Sequence, residues 1–257
     1  MVETRVFRWS DGVLRDDPMT LSGTSVVRVA DSWLTVDGSA VALDRHFDRF
    51  SGSVHAQNSQ IDVLAFTEAV RDALPESGRW FPRIEAIDSD GELTLRLLIR
   101  TAPEPSLDVT LATATRDPRS NPSVKGPDLS ALGALRTELG AGEAVILNQG
   151  FLAEGAWSSI VWWLNDTLHC VDPSIARLPG VTEGVIRDFA HHIGSTVVPV
   201  RVRPEELDGA EVWVLSALHG IRIATNWRNG PELHVEVGRV DYWRTGYANH
   251  RRVVSSA

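Results

Sequence analysis

Apolar and polar positions follow two periods through residues 1–114, and together they predict a small α/β domain. Short alternating runs over 1–40 indicate strands, with hairpin turns at Ser10-Asp11-Gly12 and Val36-Asp37-Gly38. Apolar positions at helical spacing predict a helix over 45–55, with Asp44 as its cap, and a second helix over 61–74. Further strands are predicted at 79–87, 93–99 and 107–112.

The rest of the chain shows the same mixture, and a polar segment separates the two parts. Residues 115–122 contain two prolines and almost nothing apolar, which is typical of a linker. We therefore expect an α/β fold of two domains, over 1–114 and 123–257, with a ligand cleft where they meet. The second domain is predicted to contain helices at 128–139, from the turn 178–182 to 193, and at 240–251, with strands at 144–148, 151–154, 159–164, 168–171, 197–202 and 211–215 and a helical turn at 204–207.

Composition excludes several classes of protein. The chain has 257 residues, of which 43% are hydrophobic and 23% charged, as in soluble globular proteins. A net charge of −9 argues against a nucleic-acid partner, and no apolar run reaches the roughly 20 residues that span a bilayer. Its one cysteine, Cys170, excludes an intrachain disulfide and is expected to be buried. With no apolar signal segment after the N-terminus, we expect a cytoplasmic protein.

The single lysine, Lys125, is the first candidate for chemistry. It is one of 25 basic residues, so the other 24 are arginines. Arginine can replace lysine wherever a positive charge is enough, but only a lysine amine can lose its proton and attack a carbonyl. Lys125 is therefore either the Schiff-base residue for a carbonyl cofactor or an ordinary surface lysine. Its place just after the linker favours the first reading.

Three segments of the second domain would suit an anionic cofactor. Pro179-Gly180-Val181-Thr182 opens a helix, where free backbone N–H groups and the helix dipole favour phosphate. Glu154 lies in an apolar stretch, where its carboxylate would need a cationic partner, either a protonated ring nitrogen or an arginine. The loop Ser216-Ala217-Leu218-His219 follows a predicted strand, a frequent position for ligand contacts. An ordinary capped helix and an ordinary ion pair remain alternatives for the first two.

Arginines are the candidates in the first domain. Arg49 follows His46 by three residues, on the same face of a predicted helix, and its fork would fit a phosphate. Arg96 and Arg100 lie on one side of a predicted strand, where they would bind a carboxylated substrate or pair with acids of the core.

Taken together, these segments resemble the class IV aminotransferases, the fold-type IV enzymes that use pyridoxal 5′-phosphate (PLP). The N-terminal pattern runs from Asp31-Ser32-Trp33-Leu34 through Asp37-Gly38 to His46-Phe47-Asp48-Arg49-Phe50. It is followed by Lys125-Gly126, Gly150-Phe151-Leu152-Ala153-Glu154-Gly155, Leu178-Pro179-Gly180-Val181-Thr182 and Glu211-Val212-Trp213-Val214-Leu215-Ser216-Ala217-Leu218. The match covers about residues 29–224, in the family's order and spacing.

The resemblance implies a role for each matched residue. Lys125 would form the Schiff base with PLP, and Glu154 would meet the pyridine nitrogen. Arg49, Val181, Thr182, Ser216 and Ala217 would bind the phosphate. It also implies a homodimer, in which a neighbouring subunit contributes to each active site.

The activity that follows is an aminotransferase acting on an amino acid. Two alternatives remain open. One is aminodeoxychorismate lyase, which makes 4-aminobenzoate and pyruvate. The other is a non-catalytic cofactor-binding module, because the only tyrosines, Tyr242 and Tyr247, leave the N-terminal domain without the tyrosine that several family members place near the cofactor.

Overall fold

The computed structural model describes residues 4–17 and 25–254, and these divide into two compact units. The first unit comprises the described residues up to Glu104 together with Val124–Pro127 and residues 250–254. The second comprises Pro105–Ser123 and Asp128–Asn249. Lys125 therefore belongs to the first unit and Glu154 to the second. The predicted domain limits at 1–114 and 123–257 stay predictions, and the parts of the predicted N-terminal strands at 1–3 and 18–24 lie outside the described residues.

A five-stranded antiparallel sheet forms the centre of the first unit, in the order β2-β1-β8-β7-β3. Alternate residues of its strands point to opposite faces, and the apolar set Ile84, Leu95, Leu97 and Ile99 is buried on one of them. A second, four-stranded sheet has the order β17-β5-β4-β6. The strands of this unit are β1 (Thr4–Ser10), β2 (Val13–Asp16), β3 (Val26–Ser32), β4 (Thr35–Val36), β5 (Ser39–Val41), β6 (Arg79–Trp80), β7 (Arg83–Ser89), β8 (Glu92–Arg100) and β17 (Arg251–Val253).

Two helices, α1 (Leu43–His55) and α2 (Val63–Ala73), share this core. Both were predicted, but the predicted cap of α1 is wrong. The helix begins at Leu43 after Ala42, whose backbone is left-handed, and no side chain caps it. Asp44 lies inside the first turn, where its carboxylate binds Arg71.

One predicted strand is in fact two. The run 79–87 is interrupted at Phe81 and Pro82, so β6 pairs with β4 whereas β7 pairs with β3 and β8. Proline has no N–H to give to a ladder, which explains the break.

The second unit is built on one eight-stranded mixed sheet, in the order β11-β10-β9-β16-β15-β12-β13-β14. Both faces are buried, which is why its strands are almost continuously apolar. In β15, Val212 and Val214 join one core cluster while Trp213 and Leu215 join the other. The strands are β9 (Asp108–Thr113), β10 (Glu143–Asn148), β11 (Phe151–Gly155), β12 (Ser159–Leu164), β13 (Thr167–Val171), β14 (Val197–Val200), β15 (Glu211–Ser216) and β16 (Gly220–Arg228).

Helices α3 (Leu129–Leu139), α4 (Val181–His192) and α5 (Val237–Ala248) complete this unit, with a 3-10 turn at Pro204–Leu207. The last predicted helix, 240–251, is wrong at both ends, because α5 begins three residues earlier and Arg251 lies in β17 of the first unit. Strand β16 was not predicted. Cys170 is buried, as expected. The mixed α/β class is confirmed, and no helix in the described part of the chain combines the length and apolarity needed to cross a membrane.

Candidate active site

Lys125 lies in a short loop that is bonded to the edge of β3. The carbonyl oxygen of Lys125 accepts a hydrogen bond from the Ala30 N–H at 2.7 Å. Gly126 follows with φ +145°, and a Cβ there would lie 2.7 Å from Val29 Cα. Only glycine can follow Lys125 without moving one of the two segments, so the Lys-Gly pair fixes the lysine backbone against β3.

The Lys125 amine gives up its proton more readily than an ordinary lysine. Burial lowers its pKa to about 8; Asp31 opposes this shift, whereas Arg49, Arg83 and Arg100 add to it. A fraction of the amine is therefore unprotonated near pH 7, and this is the form that attacks a carbonyl.

Arg49 is held by a buried carboxylate, Asp31. Arg49 Nε and Nη2 donate to the two Asp31 oxygens, each at 2.8 Å, and the Asp31 side chain is fully buried. His46 Nδ1 also lies 2.8 Å from Asp31 Oδ1. Burial alone would raise the pKa of Asp31, but Arg49 and His46 outweigh it and hold this pKa well below its usual range. Because the Lys125 carbonyl binds Ala30, the residue next to Asp31, Lys125 lies beside the Asp31–Arg49 pair in the first unit.

In the second unit, Glu154 is buried on β11 and has the cationic partner that its position requires. That partner is Arg119, whose Nη1 donates to Glu154 Oε1; the other oxygen accepts from the Leu178 N–H at 3.3 Å. Burial raises the pKa of Glu154 to about 7, against the opposing attraction of Arg119. Asp117 binds the opposite side of the same guanidinium at 2.7 Å.

The start of α4 offers backbone donors. Gly180 precedes the helix, and no side chain caps it. Val181 and Thr182 form the first turn and both are buried. A Cβ at Gly180 would lie 2.1 Å from Ser159 Oγ, so glycine is needed for the turn to approach β12.

Ser216 and Ala217 lie where β15 ends, and β12 connects them with α4. Ser159 of β12 is the residue opposite Leu215. Ser216 Oγ accepts from the His219 N–H at 3.3 Å, which closes the turn before β16. Through Leu178, Gly180 and Ser159, the structure thus brings Glu154, the start of α4 and the Ser216–Ala217 turn together within the second unit.

Arg96 and Arg100 lie on β8 of the first unit. Arg96 Nη2 donates to Glu85 at 2.9 Å, which is the ion pair left open as an alternative. Arg100 Nε donates to the Phe81 carbonyl at 3.1 Å. Burial lowers the pKa of Arg100 to about 10, with Arg83 adding to the shift and Glu85 opposing it.

Sequence reasoning missed three residues of these clusters. Asp31 was noticed only as part of a pattern, although a lone acid in a buried strand is itself a signal. Arg119 was read as part of a polar linker, yet its side chain is 2% exposed. Arg83 could not be singled out from the sequence, because its ion pair with Glu85 is recognisable only once the strand is placed.

The family model for amino-transferase class IV matches residues 28–227. The chain therefore belongs to the class IV aminotransferases, and it is an enzyme that uses PLP, as the resemblance implied. Family membership therefore contradicts the alternative of a non-catalytic module.

Solved structures agree with this assignment at the level of the fold. A fold IV transaminase, CpuTA1, from Curtobacterium pusillum is 18% identical with a TM-score of 0.80, over 96% of this chain and 98% of that one. A hypothetical aminotransferase from Mycobacterium tuberculosis in its PLP-bound form is 16% identical, with a TM-score of 0.78 over 96% and 98%. An aminotransferase from Brucella abortus bound to PLP is 17% identical, with a TM-score of 0.78 over 95% and 98%. The search of curated proteins found no significant match.

Each unit by itself contains part of the donor set that PLP needs. The cofactor needs an amine for its aldehyde, cations and N–H donors for its phosphate, and an acid for its ring nitrogen. Lys125 and Arg49 supply the first two in one unit. The uncapped start of α4 and buried Glu154 supply N–H donors and the acid in the other.

Proposed function

We propose that this enzyme is an aminotransferase that holds PLP covalently through Lys125 and transfers the amino group of an amino acid to a keto acid. The observation that carries the proposal is the place of Lys125, whose carbonyl binds the Ala30 N–H directly beside the Asp31–Arg49 pair; burial, which lowers the pKa of its amine to about 8, agrees with this role. Bound PLP supplies an electron sink for the pair left when a proton leaves the substrate α-carbon.

Lys125 is the catalytic residue of this proposal. Its Nζ would hold the cofactor until the substrate amine takes its place, and the free Nζ amine would then accept the proton from the substrate α-carbon and later donate it again. A pKa near 8 suits both the uptake and the return of this proton, because the amine can hold or give up a proton close to neutral pH.

The remaining residues bind and orient the cofactor. Arg49, Thr182 and Ser216, with the backbone N–H groups of Val181 and Ala217, bind the phosphate. Glu154 keeps the ring nitrogen protonated; an adjacent positive charge would lower its own pKa from about 7, so the carboxylate would be ionised. Fixing the ring at both ends aligns it for each proton transfer.

The test uses Lys125→Ala and Lys125→Arg, the second of which keeps a cation but cannot form the covalent bond. Each purified protein is mixed with PLP and its visible spectrum recorded. Borohydride reduction and peptide mass spectrometry then locate the adduct, and because the sequence has one lysine, Lys125 is the only side-chain amine it can occupy. A reduced PLP adduct on Lys125 of wild type, with none in either variant, supports the proposal. Wild type that shows the visible band of bound PLP but carries no reduced adduct on Lys125 contradicts it.

A second candidate activity is the aminodeoxychorismate lyase reaction. It is favoured by the arginines of β7 and β8 near Lys125, since aminodeoxychorismate carries two carboxylates. Incubation with that substrate separates the two activities. Formation of 4-aminobenzoate without an added keto acid would favour the lyase, whereas amino transfer from an amino acid would favour the aminotransferase.

We also propose a cytoplasmic homodimer, which is supported by family membership alone. An isologous pair is the commonest assembly. Sedimentation equilibrium at micromolar concentration would reveal a dimer, and a monomer throughout would contradict this.

A further inference from the structure

The hairpin turn between β15 and β16 contains a histidine, His219, to which the proposed function gives no role. Ser216 and Gly220 are the last paired residues of the hairpin, so residues 217–219 form its loop. Gly220 has φ +64°, the left-handed conformation that commonly closes a three-residue hairpin loop. The hairpin geometry therefore fixes the backbone from which the His219 side chain leaves the turn.

The imidazole of His219 bonds the turn to a distant segment of the second unit. Ser106 N–H donates to His219 Nδ1 at 3.2 Å, across 113 positions of the sequence. A backbone N–H can only donate, so Nδ1 has to be the unprotonated nitrogen, and Nε2 carries the proton of the neutral ring. The bond therefore requires one tautomer of His219.

The segment on the other side of this bond is itself fixed in place. Ser106 Oγ donates to the Asp108 carbonyl at 2.6 Å, where β9 begins. The Leu107 carbonyl accepts a hydrogen bond from the Ile223 N–H at 3.1 Å and a second one from the Arg244 guanidinium. The imidazole thus accepts from a donor whose position is set by β9, β16 and α5.

The backbone of His219 acts on Ser216. His219 N–H donates to Ser216 Oγ at 3.3 Å, across the loop. A hydroxyl can accept through its lone pairs and donate its hydrogen at the same time. The contact therefore orients the Ser216 oxygen and leaves its O–H for a second bond, which is the bond to phosphate that the proposed function assigns to Ser216.

Tyr247 of α5 supports the turn by packing. A Cβ at Gly220 would lie 3.1 Å from Tyr247 Cε1, so glycine allows the ring to lie against the start of β16. Packing limits how far the turn can move, but it does not set the direction of a hydroxyl. The directional restraint on the turn comes from the two hydrogen bonds of His219.

We propose that His219 is a positioning residue for the phosphate end of PLP. Its imidazole ties the turn to Ser106, and its N–H orients Ser216 Oγ, so that the Ser216 hydroxyl and the Ala217 N–H keep one geometry towards the phosphate. Donors that are ordered beforehand bind an anion more tightly than donors that must be ordered on binding. This inference rests on the proposed function, because it takes Ser216 and Ala217 as phosphate ligands.

Two substitutions separate the acceptor of His219 from the rest of its side chain. His219→Asn can place its amide oxygen where Nδ1 lies and keeps an acceptor for Ser106, whereas His219→Leu removes it. His169→Leu is the control, because His169 Nδ1 also bonds a backbone group, the Thr167 carbonyl at 3.1 Å, but within β13. Thermal unfolding identifies any variant that fails to fold, and His219→Gln, whose amide lies one bond further out, then replaces His219→Leu.

The affinity for PLP is measured by titrating the cofactor-free protein, and phosphorus NMR of bound PLP reports the surroundings of its phosphate. His219→Leu should weaken PLP binding by about threefold to tenfold and shift the phosphorus resonance. His219→Asn and His169→Leu should stay close to wild type in both measurements. In a Ser216→Ala background, His219→Leu should cause a much smaller loss, because two residues that act through one contact are not additive.

Three results would overturn the inference. His219→Leu could keep the PLP affinity and phosphorus resonance of wild type, or it could weaken PLP equally with and without Ser216. Equal losses in His219→Asn and His219→Leu would show that the acceptor for Ser106 does not matter. In each case the reduced PLP adduct on Lys125 would still form in wild type, whereas a missing adduct would be a failure of the proposed function.

Discussion

Asp31 binds Arg49 through both of its carboxylate oxygens, and the two residues are 18 positions apart in the sequence. The pair does more than neutralise charge. It aligns the plane of the Arg49 guanidinium, because two parallel bonds leave the fork little freedom. Asp31 is therefore a positioning residue for Arg49, and its negative charge also limits how far the pKa of Lys125 falls.

We predict that Asp31→Asn destabilises the protein and weakens PLP binding. Removing one partner of a buried ion pair leaves the other charge uncompensated, at a cost of about 3–5 kcal/mol. Urea denaturation gives the free energy of unfolding, and PLP titration gives the affinity. The control is Asp44→Asn, because Asp44 is exposed in its pair with Arg71 and should change little. Unchanged PLP affinity in Asp31→Asn would contradict the positioning role.

Acid should weaken the same pair. The pKa of Asp31 is depressed in the folded state, so its contribution to stability is present above its unfolded value of about 3.8 and is lost as the pH falls further. Unfolding free energy should therefore change with pH in the same way for wild type and Asp31→Asn above about pH 4, and should fall more steeply for wild type between about pH 4 and pH 2. Parallel profiles would show that Asp31 does not carry this pH dependence.

Lys125 is predicted to reduce stability at neutral pH. Its folded pKa, about 8, is below its usual value of 10.5, so the folded state binds fewer protons between these two limits. Stability then rises with pH through this interval, and the cost of the charged amine is fully present below about pH 8. Lys125→Met should be more stable than wild type by up to about 3 kcal/mol at pH 7 without PLP, and this advantage should vanish above pH 10.5. A Lys125→Met protein less stable than wild type at pH 7 would show that the amine is not strained by burial.

Glu154 should produce a pH dependence of the opposite sign. Its folded pKa is raised to about 7, so wild type without PLP should lose up to about 3 kcal/mol of stability between pH 5 and 8. Glu154→Gln cannot ionise and should remove this slope. Glu138→Gln is the control, because Glu138 is exposed and paired with Arg116. If the unfolding free energy of Glu154→Gln and of wild type fell equally with pH, Glu154 would not be the group responsible for this pH dependence.

Local patterns of the sequence predicted most elements of the second unit, because apolar strands separated by turn residues are visible over short windows. Strand β16 was not predicted, because Arg222 interrupts its run of apolar residues. That arginine is buried against Glu143, 79 residues earlier, and no local pattern shows such a partner. The same limit applies to the site. Lys125 and Glu154 were recognisable as unusual residues in their own segments, whereas the pairings of Asp31 with Arg49 and of Arg119 with Glu154 depend on the folded register.

Gly126 provides a test of how tightly the Lys125 loop is held. A Cβ at this position would lie 2.7 Å from Val29 Cα and 2.9 Å from the Ala30 nitrogen, and φ is +145°. Gly126→Ala should therefore push the loop from β3 and break the hydrogen bond from Ala30 N–H to Lys125, at a cost of about 1–3 kcal/mol. Gly52→Ala is the matched control, because Gly52 lies in α1 with open space around its Cβ position, and alanine should stabilise that helix by up to about 1 kcal/mol. Urea denaturation and PLP titration of both variants measure the effect. If Gly126→Ala keeps wild-type stability and PLP affinity, the Lys125 loop does not depend on its contact with β3.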